Sequence, residues 1–297
     1  MWFFAALLAA GLYAVAETCD NFLVNREFKH PLTLAFFAYT FSVIFVPVLF
    51  YFQPPSWPLL STIPVFIAVG FVNFGYLWPY YKGLREDDTS VAISFLAIER
   101  IMVPALAFLV VGEVLAPSQY LGIVIIVAAV IALGLHHARR RFKLSKGVWY
   151  ITWAALFLAF EGVLLKVLFD NGVTVSTAVG GETIVSFLFA ATVLFSKRVR
   201  KDVVASSPLF FRLLPLFLVE ELFTFLGLYS ESWAISHASV SIVKAITMVA
   251  PFFLMLYAWI GEGISPRFFK EDLRRGKVVR KAFLFALIIA GIILVKN

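Results

Sequence analysis

Cysteine occurs once in the 297 residues, at Cys19. A single thiol makes no intrachain disulfide and no cysteine-based metal cluster. Histidine is scarce as well, at His30, His136, His137 and His237, and none stands at a metal-ligand spacing from a carboxylate or from Cys19. No G-x-x-x-x-G-K-[ST] loop is present, which excludes a P-loop ATP motor within this chain. No G-x-S-x-G turn is present either, so the corresponding serine nucleophile is excluded. Charged residues make up only 14% of the sequence. The first residues, M-W-F-F, lack a basic region ahead of the apolar run, and no cleavable signal peptide is expected.

What fills the chain instead is apolar sequence, 62% of it. Charged and proline-rich breaks divide it into ten segments, roughly 2–25, 31–52, 59–81, 89–112, 118–138, 147–169, 174–196, 208–235, 238–261 and 278–296. As helices, each is long enough to cross about 30 Å of hydrocarbon. Backbone groups in lipid need internal partners, and the polar alternation of a barrel strand is absent. The expected fold class is an all-α membrane protein with ten transmembrane helices.

The net charge of +7 is a topological signal rather than a nucleic-acid footprint. Nearly all of the 25 Lys and Arg fall after the odd-numbered segments, in clusters such as Arg139–Arg141 with Lys143 and Lys146, and Lys197–Lys201. The positive-inside rule then places these loops in the cytoplasm and both termini outside, in a multi-pass protein of the cytoplasmic membrane. The stretch P-R-F-F-K-E-D-L-R-R-G-K after Glu262 is read either as a surface segment touching anionic headgroups or as a solvated loop.

The chain repeats itself. S-V-A-I at Ser90 and Gly112-Glu113 are matched, 149 residues on, by S-V-S-I at Ser239 and Gly261-Glu262. Glu17 pairs with Glu161, and Ser42 with Ser186, at an offset of 144. Five segments per half is an odd number, so the halves, 1–143 and 144–297, are expected as inverted five-helix repeats. Glu113 and Glu262, each beside a glycine at a helix end, are expected to cap the next helix rather than to act in transport.

The order Pro104, Gly112-Glu113, Gln119, Gly122, Gly134 resembles the EamA-type module of the drug/metabolite transporter superfamily. So does the duplication around a basic central connection. The resemblance implies an alternating-access carrier for small metabolites or drugs, not an enzyme, and leaves the substrate open.

The residues that carry chemistry are the charges inside helices. Each costs about 2.5–3.5 kcal/mol at a helix centre on an insertion scale, so each needs a partner, a proton or a wet cavity. The reading counts six acids, Glu17, Glu99, Glu161, Glu182, Glu220 and Glu221, against three bases, Arg100, Lys166 and Lys244. The surplus of acid points to proton carriage. Tyr13, Glu17, Asp20 and Asn21 share one face of the first helix, and Asn73 is central in the third. Asp20 is also read as a plain interfacial charge, and Lys244 as able to snorkel outward. The expected substrate contacts are Tyr13, Glu17, Asn21, Asn73, Glu99, Arg100, Glu161, Lys166, Glu220 and Lys244, with Glu17 and Glu161 carrying the coupled proton.

The expected function is proton-coupled transport of a small polar or zwitterionic metabolite, since the core offers both signs of charge. Its partners are that substrate, protons and membrane lipids, with no cofactor and no metal. An efflux carrier for lipophilic cations is the second reading, resting on acids and aromatics. A non-transporting protein, such as a lipid-headgroup enzyme or a partner subunit, is the third, and would gather its polar residues at one membrane face.

Overall fold

The computed structural model describes residues 1–23, 28, 30–86, 95–137, 146–261 and 275–296. Among them every regular element is a helix. In chain order these are α1 (Trp2–Phe22), α2 (Pro31–Ser42), α3 (Phe45–Phe52), α4 (Ile63–Glu86), α5 (Glu99–Val111), α6 (Pro117–His137), α7 (Lys146–Asp170), α8 (Val175–Thr192), α9 (Lys197–Arg212), α10 (Leu214–His237), α11 (Val240–Thr247), α12 (Ala250–Gly261) and α13 (Arg275–Lys296). Five stretches are long and apolar enough to cross a bilayer: Trp2–Asp20, Pro31–Phe52, Leu60–Glu86, Lys146–Asp170 and Val175–Phe195. Helix α10 is as long, but it carries Glu220, Glu221 and Glu231.

The exterior is apolar and the acids are inside. Phe108, Trp149, Trp153 and Leu188 are each more than half exposed, whereas Glu99, Glu161, Glu182 and Glu231 are buried. In water that arrangement would be costly; in lipid it is the favourable one.

Three expected spans are broken. Turns fall at Val43-Ile44 between α2 and α3, at Ala97-Ile98 ahead of α5, and at Met248-Val249 between α11 and α12. A proline follows each within about two turns: Pro47, Pro104 and Pro251. Proline has no N–H to give the carbonyl four residues back, so Pro47 and Pro251 interrupt the ladder at Val43 and Thr247, whereas Pro104 lies inside α5, beyond the turn at Ala97-Ile98. The chain tightens to three-residue bonds instead, with Val46 N donating to Val43 O at 3.2 Å and Phe252 N to Val249 O at 2.8 Å.

A second departure concerns 197–212. The sequence reading makes 197–207 a loop and starts the next span at 208. The structure has a separate helix, α9, and the span begins at Leu214 with Pro215 in its first turn. The basic residues at 197–201 hid its amphipathic pattern, because Val203 and Phe210 are its only buried side chains. The repeat residues Ser90 and Glu262, Arg139–Arg141 and residues 263–274 of the stretch after Glu262 lie outside the described residues.

The dominant helix contacts are α1 with α10, α4 with α7, and α6 with α13. The last pair meets at glycine. A Cβ on Gly122 would sit 2.7 Å from the Gly291 carbonyl, and one on Gly291 would sit 2.9 Å from the Gly122 carbonyl. Small residues are what allow membrane helices to approach this closely. Glu113 does cap a helix, but not the next one. Ser239 Oγ donates to its Oε1 at 2.7 Å, and Val240 N to its Oε2 at 3.1 Å, so it closes the N-terminus of α11 in the other half. The start of α6 is served by Gln119, whose Oε1 accepts from Ala116 N at 2.9 Å.

Candidate substrate cavity

A polar cavity of about 190 Å³ lies within the bundle. That is a little more than the roughly 150 Å³ that admits benzene. Its walls come from α1, α2, α4, α5, α6, α7, α8, α10, α11 and α12.

Helical spacing aims the side chains. Tyr13, Glu17 and Asp20 stand at i, i+4 and i+7 on α1, and all three line the cavity. On α10, Glu220, Thr224 and Glu231 stand at i, i+4 and i+11, which returns to the same face after three turns. Lys244 and Thr247, at i and i+3, are the contribution of α11.

Lys244 organises one end of the cavity. Its Nζ lies 3.0 Å from Glu161 Oε2, 3.2 Å from Glu231 Oε2 and 3.5 Å from Glu99 Oε1. Tyr13 donates to Glu231 Oε2 at 2.9 Å, and Thr247 Oγ1 donates to Glu231 Oε1 at 3.1 Å. Arg100 pairs with Glu99 and places Nη2 3.4 Å from Thr247 Oγ1. Three carboxylates therefore face two bases. Each such group is expensive to desolvate, and the network holds only because each partner is present.

The other end is acidic and phenolic. Asp20, Glu220 and Glu221 line it together with Tyr76, Tyr80 and Tyr81. Tyr81 donates to Asp20 Oδ1 at 3.3 Å, and Thr224 donates to Glu220 Oε1 at 3.1 Å. No lysine or arginine from the described residues lines this end.

Two polar atoms between the ends are open. Glu17 Oε2 and Arg100 Nε are both buried, and among the described residues neither has a hydrogen-bond partner. Both side chains line the cavity. A buried acceptor and a buried donor left unsatisfied are where a ligand gains most by arriving.

The cavity thus gathers Tyr13, Glu17, Asn73, Glu99, Arg100, Glu161, Glu220 and Lys244 from the residues singled out in the sequence. Lys166 is placed elsewhere: its Nζ pairs with Asp170 at 3.0 Å near the end of α7. The side chain of Asn21 lies outside the described residues. Lys244 does not snorkel, being held by its three carboxylates, and Asp20 is a cavity residue rather than an interfacial charge. Glu182 is fully buried behind Asn73, whose Nδ2 donates to Glu182 Oε1 at 2.7 Å. Tyr39 donates to Asn73 Oδ1 at 2.9 Å and completes that chain. The sequence reading missed Glu231, although its spacing of eleven from Glu220 was there to be seen. The census of core charge shifts accordingly, with Asp20 and Glu231 gained and Lys166 lost.

A helical bundle with an apolar exterior, interrupted spans and a cavity bearing buried charges has the architecture of a multi-pass membrane protein. Residues 1–135 match the family described as EamA-like transporter family. That family lies in the drug/metabolite transporter superfamily, as the resemblance around Gly112-Glu113 implied. One solved crystal structure, 15% identical, superposes with a TM-score of 0.67 over 99% of this chain and 94% of that one. At that identity the likeness is one of fold. No curated protein matches the chain.

Proposed function

We propose that the chain is a proton-coupled secondary transporter of a small zwitterionic metabolite, working by alternating access. The observation that carries the reading is the pair of buried, unpaired polar atoms, Glu17 Oε2 and Arg100 Nε, on side chains that line one small cavity. One suits an ammonium and the other a carboxylate. Lys244 is already occupied by three acids, so it organises the site rather than binding substrate directly.

The halves 1–143 and 144–297 are read as inverted five-helix repeats. Packing supports this: α1 lies on α10 as α7 lies on α4, and α6 meets α13 through reciprocal Gly122 and Gly291 contacts. In that frame Glu17 and Glu161 are equivalent positions, and both line the cavity. Broken helices at a repeat interface are where such carriers bind and gate. We take the membrane to be the cytoplasmic one, with the basic connections inside and both termini outside.

The test is a binding panel on the purified full chain. Amino and betaine carboxylates, the matching amines and the matching carboxylates are compared. Zwitterions are expected to bind, with binding lost in Arg100→Ala and only partly kept in Arg100→Lys, since a point charge replaces a planar fork. Amines binding as well as zwitterions, unaffected by Arg100→Ala, would refute the proposal. That result would favour the second reading, an efflux carrier for lipophilic cations, for which Asp20, Glu220, Glu221 and the neighbouring tyrosines are the supporting observation.

A further inference from the structure

Helix α9 is built unlike its neighbours. Lys197, Arg198, Arg200 and Lys201 occupy its first two turns, no acid stands in the first turn, and all four are exposed. Cations at a helix N-terminus have the wrong sign for the helix dipole. Among the described residues none of the four makes an ion pair. Asp202, the one acid of α9, is turned away: Thr33 donates to its Oδ2 at 2.5 Å, and His30 Nε2 lies 3.9 Å from its Oδ1. Among the described residues the cations are left facing outward with nothing of the opposite charge.

The outward face then changes character along the helix. Val204 and Phe211 follow the basic turns, each 68% exposed, and Phe195 just ahead of the helix is 88% exposed. In water these would be misplaced. Beside lipid-facing residues such as Leu188 they continue the apolar exterior of the bundle. Arg212 closes the helix, so the exposed side sets apolar side chains between basic ones, as a helix at the boundary of headgroup and hydrocarbon does.

The inner face reaches the transport path. Phe210 stacks on Phe37 of α2 at a centroid separation of 4.5 Å and an interplanar angle of 11°. The next residues of α2, Ala38 and Tyr39, line the cavity.

We propose that α9 is an interfacial helix that binds anionic phospholipid headgroups of the surrounding membrane through Lys197, Arg198, Arg200 and Lys201, and holds cavity-lining α2 by its opposite face. The occupant is a lipid phosphate because the cations are contiguous with an apolar surface that only lipid covers. Charge attraction to an anionic leaflet supplies the binding, and salt weakens it.

The experiment follows the Tm of the full chain in detergent micelles as phosphatidylglycerol or phosphatidylcholine is added. Phosphatidylglycerol is expected to raise Tm further than phosphatidylcholine does, with the difference shrinking at high salt. The variant Lys197→Gln/Arg198→Gln/Arg200→Gln/Lys201→Gln is expected to lose that difference and keep its Tm in phosphatidylcholine. Removing four cations together also weakens the insertion signal. The single variants Arg198→Gln and Lys201→Gln therefore form a second arm, each expected to need more phosphatidylglycerol for the same rise. A parent that answers both lipids alike overturns the proposal. So do variants that keep the full response, since another basic segment would then carry it. Equal stabilisation by inorganic phosphate or by polyglutamate also overturns it, by assigning the face to a free anion or to an acidic protein.

Discussion

Lys244 Nζ stands 3.0 Å from Glu161 Oε2, and this contact ties α11 to α7 within the buried centre of the bundle. The approach is close enough that a Cβ on Gly162 would lie 2.6 Å from Lys244 Cε. The lysine thus lies across a glycine that leaves room for its stem.

Removing Lys244 alone leaves Glu99, Glu161 and Glu231 facing one another without their shared cation. Lys244→Met is expected to destabilise the folded protein by about 3–5 kcal/mol, the usual cost of orphaning a buried charge. Lys244→Met/Glu161→Gln is expected to recover part of that loss, because one charge of each sign goes. Thermal unfolding of the four proteins in one detergent gives the coupling energy of the cycle. Additive effects would mean that the pair does not interact.

Glu113 closes the N-terminus of α11, the helix that carries Lys244 and Thr247. Glu113→Ala is expected to cost about 1 kcal/mol through the lost cap. Glu113→Gln keeps the acceptor and should cost less. Since the cap holds α11 rather than the cavity, substrate specificity should stay unchanged in both variants. A changed order of preference across the zwitterion panel would give Glu113 a role in the site.

Much of this was legible in the sequence, for identifiable reasons. Membrane spans announce themselves by apolar length, and a charge inside one must have a purpose, so Glu17, Glu99, Arg100, Glu161 and Lys244 stood out and do meet in one cavity. Helix interruptions were less visible. Pro47 and Pro251 lie in runs as apolar as any other, and only the backbone reveals the turns at Val43-Ile44 and Met248-Val249. Partner choice was not legible at all. Lys166 and Lys244 look alike in sequence; one finds Asp170 a turn away, and the other three acids from three helices. Glu231 was overlooked because it lies six residues from the end of α10, where a carboxylate reads as interfacial. Tyr13, Lys244 and Thr247 pull it into the network.

The orientation proposed from the basic connections is open to cysteine labelling. With Cys19 replaced by Ser, a cysteine introduced at Ser56 should react with an impermeant maleimide from outside the cell. One at Ser206 in α9 should react only after the membrane is opened. The reverse pattern would invert the protein and exchange the two ends of its cavity.

Coupling is the sharper question. Glu17 and Glu161 hold equivalent places in the proposed repeats, yet their surroundings differ. Glu161 is bound by Lys244 at 3.0 Å, whereas Glu17 has an open oxygen in the cavity. A carboxylate oxygen that no lysine or arginine holds by a hydrogen bond is the one that exchanges its proton for an arriving ammonium at least cost. Glu17 should therefore carry the coupling, with Glu161 needed first to hold Lys244. In liposomes loaded with a bound zwitterion, the parent is expected to accumulate substrate under an imposed pH gradient. Glu17→Gln should still exchange substrate for substrate but fail to accumulate it, because glutamine keeps the shape and loses only the titration. Glu161→Gln leaves Lys244 with Glu99 and Glu231, so it should lose stability as well as rate, and its Tm separates the two effects. If Glu17→Gln accumulates substrate as the parent does, the proton site is elsewhere. The next groups to replace are Asp20, Glu220 and Glu221, which share the acidic end of the cavity, and Glu182 behind Asn73.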